Sequence, residues 1–303
     1  MATTKSWIDA ARPRTLPLAL SGILMGCGLA WYYGEIDVWV SILAIVTATF
    51  IQIFSNFAND YGDSRKGTDN HHRVGPVRTV QSGAISIREM KTGMLIIGSL
   101  SFIFGVMLVY KATWETRTEA FFIFILFGIL SLLAAYYYTA GKKSYGYIGL
   151  GDLFVFIFFG ILPVTGVFFL NSGHLPASVF LPSITIGLFS TGVLNLNNMR
   201  DIVNDKKSGK ITIPVRLGAN NSRHYHQFLI AGGWIAAITY TLTREASLWN
   251  WLFMLTLPLY AKDLALISKI KNDRHLDPFL KRLALSTLAF TLLFITGFII
   301  AAS

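Results

Sequence analysis

Two stretches of this 303-residue chain place carboxylates and amides at helical spacing, a pattern suited to collecting a divalent cation. The first reads Asn56-Phe57-Ala58-Asn59-Asp60-Tyr61-Gly62-Asp63 and runs on to Lys66, Gly67 and Asp69. The second reads Asn197-Asn198-Met199-Arg200-Asp201-Ile202-Val203-Asn204-Asp205 and runs on to Lys206, Lys207, Gly209 and Lys210. Both carry Asn-x-x-x-Asp, with a further Asp three or four residues later. Residues at i, i+3 and i+4 share one helical face. Asn56, Asp60 and Asp63 therefore point one way on their helix, and Asn197, Asp201 and Asp205 do so on theirs.

Acids stacked at the C-terminal end of a helix oppose the helix dipole and repel one another. Placing them in a membrane bundle adds desolvation. A divalent cation relieves all three costs, and magnesium prefers oxygen ligands shared with substrate phosphates. Two such clusters facing each other would hold two magnesium ions and bridge a diphosphate between them. The plain alternative is a pair of helix ends in contact with water; the repetition of the motif argues against it. Cations lie close by in sequence: Arg73 and Arg78, Lys142 and Lys143, Lys210 and Arg216. Arg78 and Lys142 sit in distinctive glycine-containing segments, Gly75 to Gly83 and Tyr138 to Lys143, and are the expected diphosphate contacts.

The elements that must carry these motifs are membrane helices. The chain is 53% hydrophobic and 14% charged. Soluble domains carry about 25% charged residues. Apolar runs long enough to span a bilayer are expected near 15–34, 38–60, 89–110, 118–138, 152–170, 178–200, 226–243, 248–268 and 282–302. This predicts one all-α, polytopic intramembrane domain of about nine helices covering residues 1–303, with residues 4–12 as an interfacial helix. Every Lys and Arg except Lys111, Arg117 and Arg244 falls on the side holding the N-terminus and both acidic motifs. By the positive-inside rule that side is cytoplasmic. The rule also accounts for the net charge of +10 and for Lys206, Lys207 and Lys271 without invoking nucleic acid. Cys27, the single cysteine, has no partner for a disulfide or a zinc site and is a packing residue. Basic residues before the first apolar run resemble a signal peptide, but no small-residue cleavage site follows, so that run is a retained helix.

These residues resemble the UbiA superfamily of intramembrane prenyltransferases over nearly the whole chain. Asn59-Asp60-Tyr61-Gly62-Asp63 is similar to the family's Asn-Asp-x-x-Asp motif, and Asp201 with Asp205 to its Asp-x-x-x-Asp motif. The flanking segments are most similar to the menaquinone branch, the 1,4-dihydroxy-2-naphthoate polyprenyltransferases. Those segments are Arg12 to Pro17, Asn59 to Asp69, Gly75 to Gly83, Gly149 to Phe156, and Asn198 to Asp201 leading to Gly209 through Gly218. Asp152 stands where that branch often has Glu, so the carboxylate is kept.

The resemblance implies a polyprenyl diphosphate donor, a dihydroxynaphthoate acceptor that loses carbon dioxide, and demethylmenaquinol as product. It also implies a bacterial plasma membrane location with the active site on the cytoplasmic side. Asn56, Asp60, Asp63, Asn197, Asp201 and Asp205 are then the expected magnesium ligands, with the four aspartates catalytic. Asn59, Asp69, Arg78, Lys142 and Lys210 are expected to bind donor, and Tyr145 and Asp152 to position acceptor. The Tyr136–Tyr138 cluster and Phe154, Phe156, Phe158 and Phe159 offer faces to an allylic cation or pack against lipid. Two alternatives stay open: a sister enzyme with another acceptor such as 4-hydroxybenzoate, and a cation-coupled transporter. Transporters place ionisable groups near the bilayer midplane, whereas the span interiors here are nearly free of charge. Tail length and oligomeric state are not encoded in these patterns.

Overall fold

The computed structural model describes residues 2–67, 75–141, 144–270 and 272–302. Among them every regular element is helical. The chain opens with a short helix, α1 (Thr4–Ala11), then α2 (Leu16–Tyr32), α3 (Val38–Lys66), α4 (Ile87–Thr113) and α5 (Thr118–Tyr137). Next, α6 (Gly151–Val155) continues through a π-helical segment, Phe156–Ile161, into α7 (Leu162–Ser172). The second half holds α8 (Phe180–Arg200), the short α9 (Ile202–Lys207), α10 (Ile213–Leu242), α11 (Leu257–Lys269) and α12 (Asp277–Ala302).

Eight segments of the described chain are long and apolar enough to cross a membrane, the first being Thr4–Tyr32 taken as one. The expected seventh span lies within α10, which is not among the eight. This helix packs closely on α8 and buries His226, Trp234 and Tyr240, so protein rather than lipid covers much of it. The stretch 201–225, expected as a loop, is instead largely helical. Thr212 caps α10 by accepting from the Val215 backbone N–H, Pro214 pre-sets its first turn, and the helix breaks at Gly218 (φ 77°, ψ 167°).

Local signals set the ends that matter. Asp37 caps α3, its carboxylate accepting from the N–H groups of Trp39 and Val40 at 2.8 and 3.1 Å. The helix then runs unbroken through both acids of the first motif to Gly67, whose left-handed conformation (φ 69°) ends it. Ser86 and Glu89 form a capping box at the start of α4. In the core, α8 lies against α10, α12 and the π-helical segment, and α2 lies against α7 and α12. A Cβ at Gly160 would stand 2.3 Å from the Gly187 Cα, so glycine is required where the π segment crosses α8. α5 buries no residue and leans on α3 and α4.

Candidate active site

The first motif is arranged as helical spacing predicts. Asn56, Asp60 and Asp63 are all buried on one face of the last turns of α3. In the second motif the helix is interrupted at Asp201 (φ −99°, ψ 10°), between α8 and α9. The i→i+4 pattern nevertheless survives. The Asp201 N–H donates to the Asn197 carbonyl at 3.2 Å, and the Asp205 N–H to the Asp201 carbonyl at 2.8 Å. The three side chains therefore still stack.

Each acid is matched by a cation. Asp60 accepts from Arg12, from Arg78 at 2.7 Å and from the Thr79 hydroxyl at 2.9 Å. Asp63 accepts from the Tyr147 hydroxyl at 2.8 Å and from Arg78 at 3.4 Å. Arg200 forks onto Asp201 at 2.6 and 3.1 Å, reaches the Asn197 side-chain oxygen at 2.9 Å and pairs with Asp277 of α12. The Lys210 Nζ lies 3.6 Å from Asp205 Oδ1. Asp205 Oδ2 is buried without a hydrogen-bond partner. Burial pushes the Asp205 carboxyl up to about 6; Lys210 pulls it down, while Asp201 and Asp63 push it further up. Burial acts to lower Lys210, but Asp205 and the neighbouring Tyr138, Asp63 and Asp201 outweigh it and raise it. That Asp63 acts on both Asp205 and Lys210 brings the two motifs, far apart in sequence, to one place.

A cavity of about 410 Å³ opens between them. Its polar end holds Asn59, Asp63, Arg78, Asn197 and Lys210. Its apolar part runs between α2, α3, α7 and α8, with Phe154, Phe158 and Phe159 on the wall. Tyr145 lines it too, stacked on Phe154 with centroids 4.0 Å apart and donating to the Ala134 carbonyl at 2.7 Å. Asp60, Asp201 and Asp205 lie behind the wall, among their cations.

Of the other expected residues, Asn56 lines the cavity but spends its amide nitrogen on a neighbouring helix, Asp152 turns to α10, and two are not described. The Asn56 side-chain nitrogen donates to the Ala11 carbonyl at 2.8 Å and to the Thr15 hydroxyl at 3.0 Å. It thus tethers the end of α1 to α3. Asp152 accepts from the Tyr225 hydroxyl of α10 at 3.1 Å, away from the cavity wall. Asp69 and Lys142 lie outside the described residues, as does Arg73.

Arg12, Arg200 and Tyr147 complete the site and were not singled out by spacing. Arg12 is the non-glycine residue of the described chain with positive φ (50°), capping α1 so that its guanidinium turns to Asp60. Arg200 lies inside the second motif, one residue before Asp201, and that adjacency was the available signal. Tyr147 is held by a backbone bond from the Ile211 N–H at 2.9 Å, and its ring lies under Lys66 and Lys210.

A metal fits this donor set. The acids and amides offer oxygen only, and a buried carboxylate oxygen is left over on Asp205. Among the described residues no three His, Cys, Asp or Glu converge into a ready-made cage. Magnesium uses one or two carboxylates plus substrate phosphates rather than such a cage.

A model of the UbiA prenyltransferase family matches residues 19–288. The chain belongs to this family. It is 41% identical to the 1,4-dihydroxy-2-naphthoate octaprenyltransferase of Escherichia coli (strain K12), over 98% of this chain and 96% of that one. It is 33% identical to the protein of the same name from Mycobacterium tuberculosis, over 96% of both. The family fold recurs in a UbiA homolog from Aeropyrum pernix K1 (TM-score 0.67, 18% identity, 99% of both chains). It recurs also in a UbiA homolog from Archaeoglobus fulgidus solved with DMAPP and Mg2+ (TM-score 0.62, 15% identity, 95% of this chain and 99% of that one).

Proposed function

We propose that this UbiA-family chain is a single intramembrane domain that transfers a polyprenyl group from its diphosphate to 1,4-dihydroxy-2-naphthoate. A carbon–carbon bond forms at the ring, carbon dioxide is lost, and diphosphate leaves. The observation that carries the reading is one cavity with acids, amides and cations at one end and aromatic and aliphatic walls at the other. A polyprenyl diphosphate has the same polarity along its length. The curated relatives named above add the acceptor.

Asp60 and Asp63 from one side, and Asp201 and Asp205 from the other, would hold magnesium, two ions for two motifs. Bound magnesium would neutralise the acids and stabilise charge on the leaving diphosphate. Arg78 and Lys210 line the cavity beside those acids and bind the diphosphate oxygens. The buried, cation-matched surroundings keep water from the allylic carbon while the ring attacks. Phe154, Phe158 and Tyr145 form a stacked aromatic wall of the cavity whose π systems would stabilise the developing positive charge. Asn56 holds α1 so that Arg12 covers Asp60. The charge asymmetry of the sequence supports a cytoplasmic position for this end of the bundle by the positive-inside rule, in what we read as a bacterial plasma membrane.

The test is an acceptor screen on purified protein in detergent with a polyprenyl diphosphate and magnesium. Prenylation and decarboxylation of dihydroxynaphthoate, lost on adding EDTA, is the expected result. Product only from 4-hydroxybenzoate or another ring would move the chain to a sister branch. No product from any acceptor in folded protein would overturn the reading.

A further inference from the structure

A groove of about 760 Å³ runs down the outer face of α3, α4 and α5. Among the described residues it shares none with the wall of the main cavity. It begins at the acidic-motif end of the bundle, at Tyr61, Lys91 and Tyr136, and continues over Met94 to Phe102 and Leu132. Below Lys91 its lining is almost wholly hydrocarbon and aromatic. Lys91 and Phe102 are eleven residues apart on α4, about 17 Å at the α-helical rise per residue. Half of a bilayer's hydrocarbon core is about 15 Å. The groove is therefore one leaflet deep, with its charged end at an interface.

The cations at that end are set apart from others nearby. Arg12, Arg78, Arg200, Arg223 and Arg282 each pair with an aspartate. Among the described residues Arg65 and Lys91 meet no carboxylate; both are gathered at Tyr61 instead. Arg65 donates to the Tyr61 hydroxyl at 3.0 Å, and its guanidinium carbon lies 5.8 Å from the ring centroid. The Lys91 Nζ lies 5.7 Å from the same centroid. Tyr61 is buried, so the ring that holds them is itself fixed. One cation comes from α3 and the other from α4, and positive charge thus stands on both walls of the groove's end. Like charges held at one ring repel, and an anion between them removes that cost.

We propose that this groove is a binding site for an anionic diacyl phospholipid, with Arg65 and Lys91 holding its phosphate and an acyl chain lying against Met94 and Phe102. Both halves of the occupant are required. A free phosphate would use the cations and leave the apolar groove uncovered. A lipid without net charge would fill the groove and leave the two cations unanswered. Gly98 keeps the groove's floor close: a Cβ there would stand 3.1 Å from the Phe54 ring. A lipid seated here would also steady the last turns of α3, where Tyr61 lies between Asp60 and Asp63. The site is independent of the reaction that the chain catalyses.

The experiment titrates the full chain in neutral detergent with phosphatidylglycerol, phosphatidylcholine or glycerol phosphate, following bound lipid by native mass spectrometry and the melting temperature. Phosphatidylglycerol should bind and raise the melting temperature more than the other two. Arg65→Gln and Lys91→Gln should each weaken that binding about fivefold, and the double variant more than about tenfold. A control that removes the same charge from two exposed cations elsewhere, Lys206→Gln with Lys207→Gln, should leave it unchanged. Equal binding of both lipids, equal stabilisation by glycerol phosphate, or an equal loss in the control overturns the proposal. A second measurement needs no variant: phosphatidylglycerol with a photoreactive acyl chain is irradiated on wild-type protein. Labels should fall on residues 94–103 of α4 or 132–136 of α5. Labels confined to other helices overturn the site, and a dimer in neutral detergent cross-linked through Phe102 would give the groove to a second copy instead.

Discussion

The Lys210 ammonium lies 3.6 Å from one oxygen of the Asp205 carboxylate, while the other oxygen is buried with no partner. One cation half-satisfies one acid, and the acid is held ready for a second positive charge. Burial raises the Asp205 carboxyl from an ordinary 3.8 to about 6. A carboxyl raised on folding favours the folded state when protonated. Its contribution is full below the ordinary value and is lost as pH rises through about 6. Metal-free protein should therefore melt lower at pH 7.5 than at pH 5, and magnesium should restore the loss at pH 7.5. Apparent magnesium affinity should fall as pH drops below about 6, because protons compete for the same oxygens. Asp205→Asn should flatten both dependences. A melting profile of the variant that tracks wild type would remove Asp205 from this account.

Removing an acid from either motif separates catalysis from folding. Asp60→Ala and Asp201→Ala should each abolish turnover while the protein still inserts, and Arg78→Ala should cost about 10²–10³ in kcat if it stabilises leaving charge. Arg78→Lys should recover only part, because a point charge cannot fork between Asp60 and Asp63. Activity near wild type in either aspartate variant would sink the reading of two cooperating motifs.

The spacing of Asn56, Asp60 and Asp63 foretold one buried face because α3 is a single regular helix, and regularity is what spacing encodes. The same reasoning reached the second motif despite the break at Asp201, because the i→i+4 bonds on either side hold. It could not reach Arg12. Its role depends on a left-handed backbone and on a helix end tied down by Asn56 across 45 positions, a contact that hydropathy and local pattern do not carry. Nor could it show that Asp152 turns to Tyr225, since that requires knowing that α6 faces α10. The start of α10 was missed although Thr212 and Pro214 carry a helix-start signal, because the polar stretch before His226 lacks the apolar run that marks a span. What faces protein rather than lipid escapes a hydropathy reading.

Arg200 has its side chain almost fully buried and serves Asn197, Asp201 and Asp277 together. Truncation would leave buried acid without compensation, a loss of about 3–5 kcal/mol. Arg200→Ala should therefore lower the melting temperature sharply as well as activity, unlike Asp60→Ala. Arg200→Met with Asp201→Asn should recover fold but not turnover. If Arg200→Ala melts like wild type, the buried ion network is not a structural keystone of the α8–α12 contact.

Tyr147 donates to Asp63 at 2.8 Å and stands between Lys66 and Lys210, whose ammonium groups lie 4.1 and 5.8 Å from its ring centroid. The Ile211 N–H fixes its backbone, so the tyrosine links the segment after α5 to the segment after α9. Tyr147→Phe keeps the ring and both cation contacts and removes only the hydroxyl. A hydrogen bond to a charged acceptor contributes about 1.5–3 kcal/mol. Asp63 would lose that support in the metal-free protein, and its oxygen would be freer to take a cation. The expected outcome is an unchanged fold, a lower melting temperature without magnesium, and a smaller difference once magnesium is bound. Titrating magnesium against melting temperature for wild type and variant measures this directly. A variant whose deficit persists at saturating magnesium would show that the hydroxyl holds the loop rather than the acid.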